Sequence, residues 1–340
     1  MATTSTDRIL TLDVIRGIAV MGIFSVNIVG MAMIESAYFY PPDYGFGAGY
    51  DKVMWALNSI FVDGRFRSLF SILFGASMVV VIERAVATGR KGWQVHYPRM
   101  IVLLLFGLAH YYLLWWGDIL ANYAMVGMAA YFFWRLSAKW LLVAGVAVLL
   151  FINGMMAYQF VPQLELVERV QAGGGTEAER ARVQDMIGPE DPAEKAERIA
   201  EDKAAHASIP AHLKASTQGN AAWRPFQGVL GYGPETLGLM LLGMALFKSG
   251  FLTGAWPRRR YVQVAAVCLG VDLAVHAYGA WASLKADFAP VVFYPWTQVY
   301  ASPLHPIGAI GYAALIILAL GHRSEIADRV AAVGRAAFSN

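Results

Sequence analysis

The run from Arg99 to Arg135, RMIVLLLFGLAHYYLLWWGDILANYAMVGMAAYFFWR, decides the fold class. Two apolar stretches, 99–116 and 119–136, are joined by the tight polar link Gly117-Asp118, and each approaches the roughly 20 helical residues that cross a hydrocarbon layer of about 30 Å. One such block could be a buried core helix. The same pattern recurs along the chain, however, and places spanning helices near 14–34, 66–82, 99–116, 119–136, 139–160, 229–248, 261–281 and 298–320. The fold class is therefore all-α: a polytopic transmembrane helix bundle of about eight spans, with lipid bilayer as its main partner. Tyr50–Val62 is amphipathic and reads as an interfacial helix before the second span.

Composition supports this reading. Hydrophobic residues are 57% of the 340 and charged residues 15%, against about 25% charged in soluble domains. The net charge of +3 is small, and the basic residues lie in short clusters between apolar blocks, which excludes a nucleic-acid partner. A single cysteine, Cys268, leaves no disulfide framework or thiolate metal site. Val14–Ile34 is too long for a cleaved signal and lacks a small-x-small cleavage site, so it is expected to be retained.

Lys and Arg set the orientation, because short cytoplasmic loops retain them. Arg8; Arg84, Arg90, Lys91 and Arg99; Arg135 and Lys139; Lys248 and Arg258–Arg260; and Arg323, Arg329 and Arg335 fall on one side, which predicts a cytoplasmic N-terminus in an inner membrane. Lys52, Arg65, Arg67 and Lys285 stand against the pattern. Three regions follow: a five-helix transmembrane part at 1–160, a polar extracytoplasmic helical loop at 161–228, and a second transmembrane part at 229–340. The loop holds eight Lys/Arg and eleven Asp/Glu; it reads as a solvated helical loop, with a substrate-gripping lid as the alternative. The ending Gly334–Asn340 carries residues that commonly start a helix, so truncation is expected.

An ionisable group at the centre of a spanning helix costs on the order of 2.5–3.5 kcal/mol and needs a partner or a wet cavity. That filter selects few residues. Asp13 and Arg16 share a face at i, i+3 and serve either the helix end or a donor. Asn27 lies about three turns further along that face. Arg65 and Arg67 at an outer mouth would attract an anion, with Ser68 and Ser71 beside them. His110 is followed by Asp118, Asn122 and Tyr123; a carboxylate that fixes the imidazole tautomer makes a general base, whereas a lone histidine is ordinarily a satisfied core residue. Asp272 and His276, at i, i+4, form either a proton relay or a self-neutralising pair. His305, between Pro303 and Pro306, is expected in an entrance loop. No metal site, P-loop or GxSxG motif is present in the sequence, and no cofactor is identifiable.

Several of these residues also carry a resemblance. Arg8–Ala19 (RILTLDVIRGIA) with Asn27, Gly64–Gly75 (GRFRSLFSILFG), Gly107–His110 with Gly117–Leu120 and Tyr123, and Gly238–Met244 (GLMLLGM) together resemble bacterial YeiB-like proteins, whose C-terminal part carries DUF418. The resemblance covers most of the chain. It implies further spans after Asn340. The Leu-Asp-x-x-Arg-Gly opening is also similar to that of membrane acyltransferases, including the heparan-glucosaminide acetyltransferase group and bacterial sugar O-acyltransferases. In the latter a catalytic histidine follows the motif where this chain has Asn27, and an amide cannot act as base.

Either His110 takes that role from another helix or the likeness is architectural; the polar groups running from the inner mouth to the outer half of the core make the leading expectation acyl transfer from a cytoplasmic donor such as acyl-CoA to an extracytoplasmic hydroxyl or amine. His110 and Asp118 would be catalytic, Asn27, Arg65, Ser71 and Tyr123 would face substrate or oxyanion, and Asp13 and Arg16 would meet the donor. A proton-coupled transporter using Asp272, His276, His110 and Asp118 is the competing expectation, although no inverted repeat is legible; a noncatalytic scaffold is the third.

Overall fold

Leucine-rich and β-branched runs without internal breakers form helix wherever water is excluded, because every backbone polar group must then be satisfied within its own segment. A computed structural model describes residues 5–188, 190–321 and 325–336, and every regular element among them is helical. In chain order these are α1 (Ser5–Ala32), α2 (Glu35–Phe39), α3 (Gly49–Phe61), α4 (Arg65–Ala87), α5 (Gly92–Leu113), α6 (Leu120–Ala130), α7 (Ala138–Gln171), α8 (Glu177–Ile187), α9 (Pro192–His206), α10 (Ile209–Ser216), α11 (Arg224–Gly231), α12 (Gly233–Lys248), α13 (Arg258–Lys285), α14 (Pro290–Tyr294), α15 (His305–Ala319) and α16 (Glu325–Ala336). A π-helical turn, Pro295–Tyr300, follows α14. Residues 337–340, on which the expected truncation bears, lie outside the described residues.

Five stretches are long and apolar enough to cross a membrane: Leu10–Ala32, Gly49–Ala87, Ala138–Gln171, Arg258–Lys285 and Pro290–Ala319. A sixth results if Gly219–Gly231 and Gly233–Lys248, bent by 48°, count as one span. The chain is thus a multi-pass membrane protein, but the expected eight spans resolve to five or six. The difference falls on the stretch that opened the sequence reading. Pro98, Arg99 and His110 dilute α5, and α6 has only 11 residues, about 16 Å of helix. The interfacial segment is continuous in apolarity with α4, interrupted only by the turn at Gly64. Its face carrying Val53, Met54, Leu57 and Phe61 is exposed, as an interfacial helix requires.

The polar stretch is ordered helix. Thr176 caps α8 by accepting from the Glu179 amide at 3.3 Å while the Glu179 carboxylate accepts from the Thr176 amide at 2.8 Å. Asp191 and Ser208 cap α9 and α10. These helices dock on the bundle: the His212 ring and Ser216 hydroxyl bond the carbonyls of Tyr111 and Tyr112, and the Tyr111 and Tyr112 hydroxyls donate back to the carbonyls of Ala221 and Ala222. Arg198 and Lys195 reach Asp43, and Arg224 reaches Glu35. The segment is a clamped cap and not a free loop.

At the centre, α4 crosses α12 with backbone against backbone. A Cβ on Gly75 would lie 2.0 Å from the Met240 carbonyl oxygen, and one on Gly243 would lie 1.8 Å from that of Ile72. The contact is reciprocal: one offset, 168 residues, relates Gly75 to Gly243, Ile72 to Met240 and Arg67 to its ion-pair partner Glu235. The neighbours repeat the relation. Helix α5 packs on α6 as α13 packs on α15, α6 packs on α12 as α15 packs on α4, and α1 meets α4 as α7 meets α12. Amphipathic α3 precedes α4 as α11 precedes α12. The bundle is therefore built from two parallel repeats about an axis between α4 and α12.

Candidate functional site

The charged residues of the sequence reading gather mainly at the N-terminal end of α4. Arg65 has no exposed surface; its Nε donates to Asp272 Oδ2 at 2.6 Å, and Asp272 is equally buried. Arg65 Nη1 donates to the carbonyls of Ser59 and Asp63 at 2.7 and 3.0 Å. Two groups that sequence reasoning kept apart, an outer anion-attracting arginine and an aspartate relay, are thus one ion pair between α4 and α13. Beside them, Arg67 forms a two-pronged pair with Glu235 (3.1 Å to Oε2, 3.0 Å to Oε1) across the repeat axis. Neither arginine is an open anion attractor, because each charge is already met by a carboxylate.

Glu235 was missed. The available signal was an acidic residue in the first turn of an apolar helix, at Gly233-Pro234-Glu235.

His276 Nδ1 lies 2.8 Å from the main-chain oxygen of Asp272. A carbonyl can only accept, so in the neutral ring this nitrogen holds the proton and Nε2 keeps its lone pair. Nε2 is buried without a partner. The ring stacks on His305 at 5.3 Å. His305 is therefore not part of an entrance loop: it is the first residue of α15. Its ring occupies the space where a Gly64 side chain would be, with an ideal Cβ 2.2 Å away, and Gly64 itself has φ of +71°. Only glycine meets both demands.

Ser71 and Tyr123 share a 2.7 Å hydrogen bond between hydroxyls, both buried, with Tyr123 stacked on Phe70. Asn122 Nδ2 donates to Thr236 Oγ1 at 3.0 Å. These bonds tie α6 to α4 and α12 and leave no open substrate face on Ser71 or Tyr123. Above them, burial pushes the Tyr38 phenol up to about 12, with Asp63 acting in the same direction.

His110 and Asp118 form a separate site. Nδ1 of His110 is 3.1 Å from Asp118 Oδ1; the carboxylate is 2% exposed and the imidazole 30%. The other oxygen, Oδ2, accepts from the Ala121 amide at 2.8 Å, capping α6. Trp115 packs edge-on to the His110 ring at 6.2 Å and donates its indole N–H to the carbonyl of Gly30 at 2.9 Å. Asn27 is half-buried on α1, three residues before Gly30.

Asp13 and Arg16 meet at 2.8 Å, and Arg16 Nη2 donates to Ser77 Oγ at 2.7 Å. Ser77 is twelve residues from Arg65, which puts this pair about 18 Å along α4 from the charged cluster. Helix α16 covers it: a Cβ on Gly17 would lie 2.2 Å from the Val330 oxygen, and one on Gly334 would lie 1.9 Å from the Asp13 oxygen. The pair joins α1, α4 and α16 and is no open donor site. Among the described residues no cluster of three or more His, Cys, Asp or Glu has the arrangement of a metal site.

These features define a helical membrane protein with buried ion pairs at the junction of two repeats. Residues 246–340 match the family described as "Protein of unknown function (DUF418)". The chain is 29% identical to Uncharacterized protein YeiB of Escherichia coli over 345 residues, spanning 98% of this chain and 80% of that one. It is 34% identical over 155 residues to Uncharacterized protein YxaH of Bacillus subtilis, spanning 44% of this chain and 38% of that one. A 39.9 kDa protein from the amylase 3′ region of Bacillus acidopullulyticus is 32% identical over 167 residues, or 49% of this chain and 46% of its own length. The chain is thus similar to the DUF418 family over its C-terminal part and to YeiB over nearly its whole length. No solved structure matches it.

Proposed function

We propose that the protein transfers an acyl group to a hydroxyl or amine, with His110 as general base. The observation that carries this reading is the His110 to Asp118 contact at 3.1 Å. A buried carboxylate on Nδ1 fixes the tautomer and leaves the outward Nε2 to accept a proton. The acceptor oxygen or nitrogen gives that proton to Nε2 as it attacks the acyl carbonyl. The new C–O or C–N bond forms, the bond to the donor sulfur breaks, and the leaving thiolate takes the proton back. Asn27, on the α1 turn before Gly30, would donate to the oxyanion. Arg65 is left out of this step because Asp272 already occupies it. With the N-terminus cytoplasmic in an inner membrane, the acceptor side is extracytoplasmic, and Asp13 with Arg16 holds the end of α1 at which an acyl-CoA donor would approach.

The test is reconstituted full-length protein with labelled acetyl-CoA, comparing wild type with His110→Ala. Acyl transfer to acceptor should fall by about 10² or more in the variant; equal transfer by both removes His110 from the mechanism.

Proton-coupled transport is the second reading, favoured by the Arg65–Asp272 and Arg67–Glu235 pairs at the junction of parallel repeats. Solute movement that follows a proton gradient without covalent change is its signature.

A further inference from the structure

We propose that the second repeat holds a binding site for a glycerol-sized polyol, in the cleft between α3, α13 and the π-helical turn 295–300. His276 and His110 each lie 18 residues after the first residue of their helices, α13 and α5. Each ring meets the start of the following apolar helix, His110 through Asp118 and His276 through His305. The two repeats then diverge. Helix α5 stops at Leu113, whereas α13 runs on to Lys285 and carries Ser283 on the same face as His276, two turns away.

Its chemistry is specific. His276 is 4% exposed and Ser283 1%; both line the cleft, and His276 Nε2 and Ser283 Oγ have no hydrogen-bond partner. Buried polar atoms of this kind are ordinarily satisfied. Nε2 accepts and the hydroxyl donates or accepts, so the matching ligand presents hydroxyls at both ends, with the unpartnered His305 Nδ1 and the Asp63 carboxylate also lining the cleft. The backbone rises about 10.5 Å from position 276 to 283, a separation on the scale of a short diol with a hydrogen bond of about 2.8 Å at each end. Between them Gly279 lets the Trp296 ring close on α13, since a Cβ there would lie 3.1 Å from the indole, and Trp55 and Trp296 form apolar walls for the carbons.

The free interior is about 40 Å³, room for roughly three waters. A two-carbon diol displaces about three waters and glycerol about four, the last at the open mouth, whereas a sugar ring is too large. The π-helical turn that supplies Trp296 and Thr297 is a form frequent at functional sites. Free glycerol and the terminal glycerol of a lipid headgroup share this chemistry.

The experiment uses the full chain purified without glycerol. Tryptophan fluorescence is titrated with glycerol and with 1-propanol, which lacks the second hydroxyl. In parallel, native mass spectrometry reads retained phosphatidylglycerol from nanodiscs of phosphatidylglycerol and phosphatidylcholine. Ser283→Ala removes an unpartnered hydroxyl and should unfold no earlier than wild type, yet bind about tenfold more weakly. Gly279→Ala, whose Cβ would displace the Trp296 wall, should weaken binding with Ser283 intact, and His110→Ala should leave it unchanged.

A saturable glycerol response lost in Ser283→Ala supports a free polyol. Selective retention of phosphatidylglycerol lost in that variant, without a glycerol response, supports the headgroup. Neither signal in wild type, or signals unchanged in both Ser283→Ala and Gly279→Ala, overturns the proposal. The readout is binding, so its failure leaves the acyl-transfer reading untouched.

Discussion

Asp272→Asn tests the buried ion pair most directly, because it keeps the shape of the side chain and removes only its charge. Arg65 would keep its bonds to the Ser59 and Asp63 carbonyls, but its guanidinium has no solvent exposure and its counter-charge would be gone. Breaking such a pair from one side costs about 3–5 kcal/mol. Lys52–Asp287 is the internal comparison: the contact is similar at 2.8 Å, but the side chains are 40% and 84% exposed, so Asp287→Asn should cost less than about 1 kcal/mol. Replacing both buried charges, as Arg65→Met with Asp272→Leu, removes the uncompensated ion and should recover most of the loss. The assay is reversible unfolding of the reconstituted protein in mixed micelles with rising SDS, followed by far-UV circular dichroism. If Asp272→Asn unfolds within about 1 kcal/mol of Asp287→Asn, the pair is hydrated and the charged cluster is not a dry core.

Gly243→Ala should destabilise by about 1–3 kcal/mol or prevent assembly, because its Cβ would meet the Ile72 oxygen at 1.8 Å; Gly47→Ala, with nothing within 4 Å, should stay within about 0.5 kcal/mol in the same unfolding assay. Burial raises the Asp43 carboxyl, but the Ser36 hydrogen bond and the Lys195 and Arg198 charges outweigh it and hold the carboxyl below its ordinary range. Its contribution is therefore present above its unfolded value and is lost as pH falls below about 4. Limited pepsin cleavage within 177–206 should rise there in wild type, and Asp43→Asn should show the increase already at neutral pH with a neutral-active protease. Tyr111→Phe and Tyr112→Phe together remove two hydroxyl bonds to the cap, and hydrogen exchange in 219–223 should accelerate without change in the α4 amides.

Much of the bundle was legible because the apolar blocks are long and the cations sit between them. The two expected spans that fall short of crossing length and apolarity are those where local chemistry and length diverge: α6 is apolar but only 11 residues, and α5 carries Pro98, Arg99 and His110. The i, i+3 pair of Asp13 and Arg16 and the His110–Asp118 link were readable because both partners are close in sequence. Arg65–Asp272 was not, since its partners are 207 residues apart and each had a plausible local reading. The internal repeat escaped notice for a related reason. Backbone crossing at α4 and α12 demands only glycine at one position per helix, with little else held in common between the two segments, and that is too sparse a pattern to read without the contact itself.

The glycine crossing also limits how the molecule can move. With two main chains touching at one point, the halves have no lubricating side-chain layer there and cannot slide lengthwise without a backbone collision. Any rolling about that crossing would strain the Arg67–Glu235, Arg65–Asp272 and Asn122–Thr236 contacts that also join the two repeats.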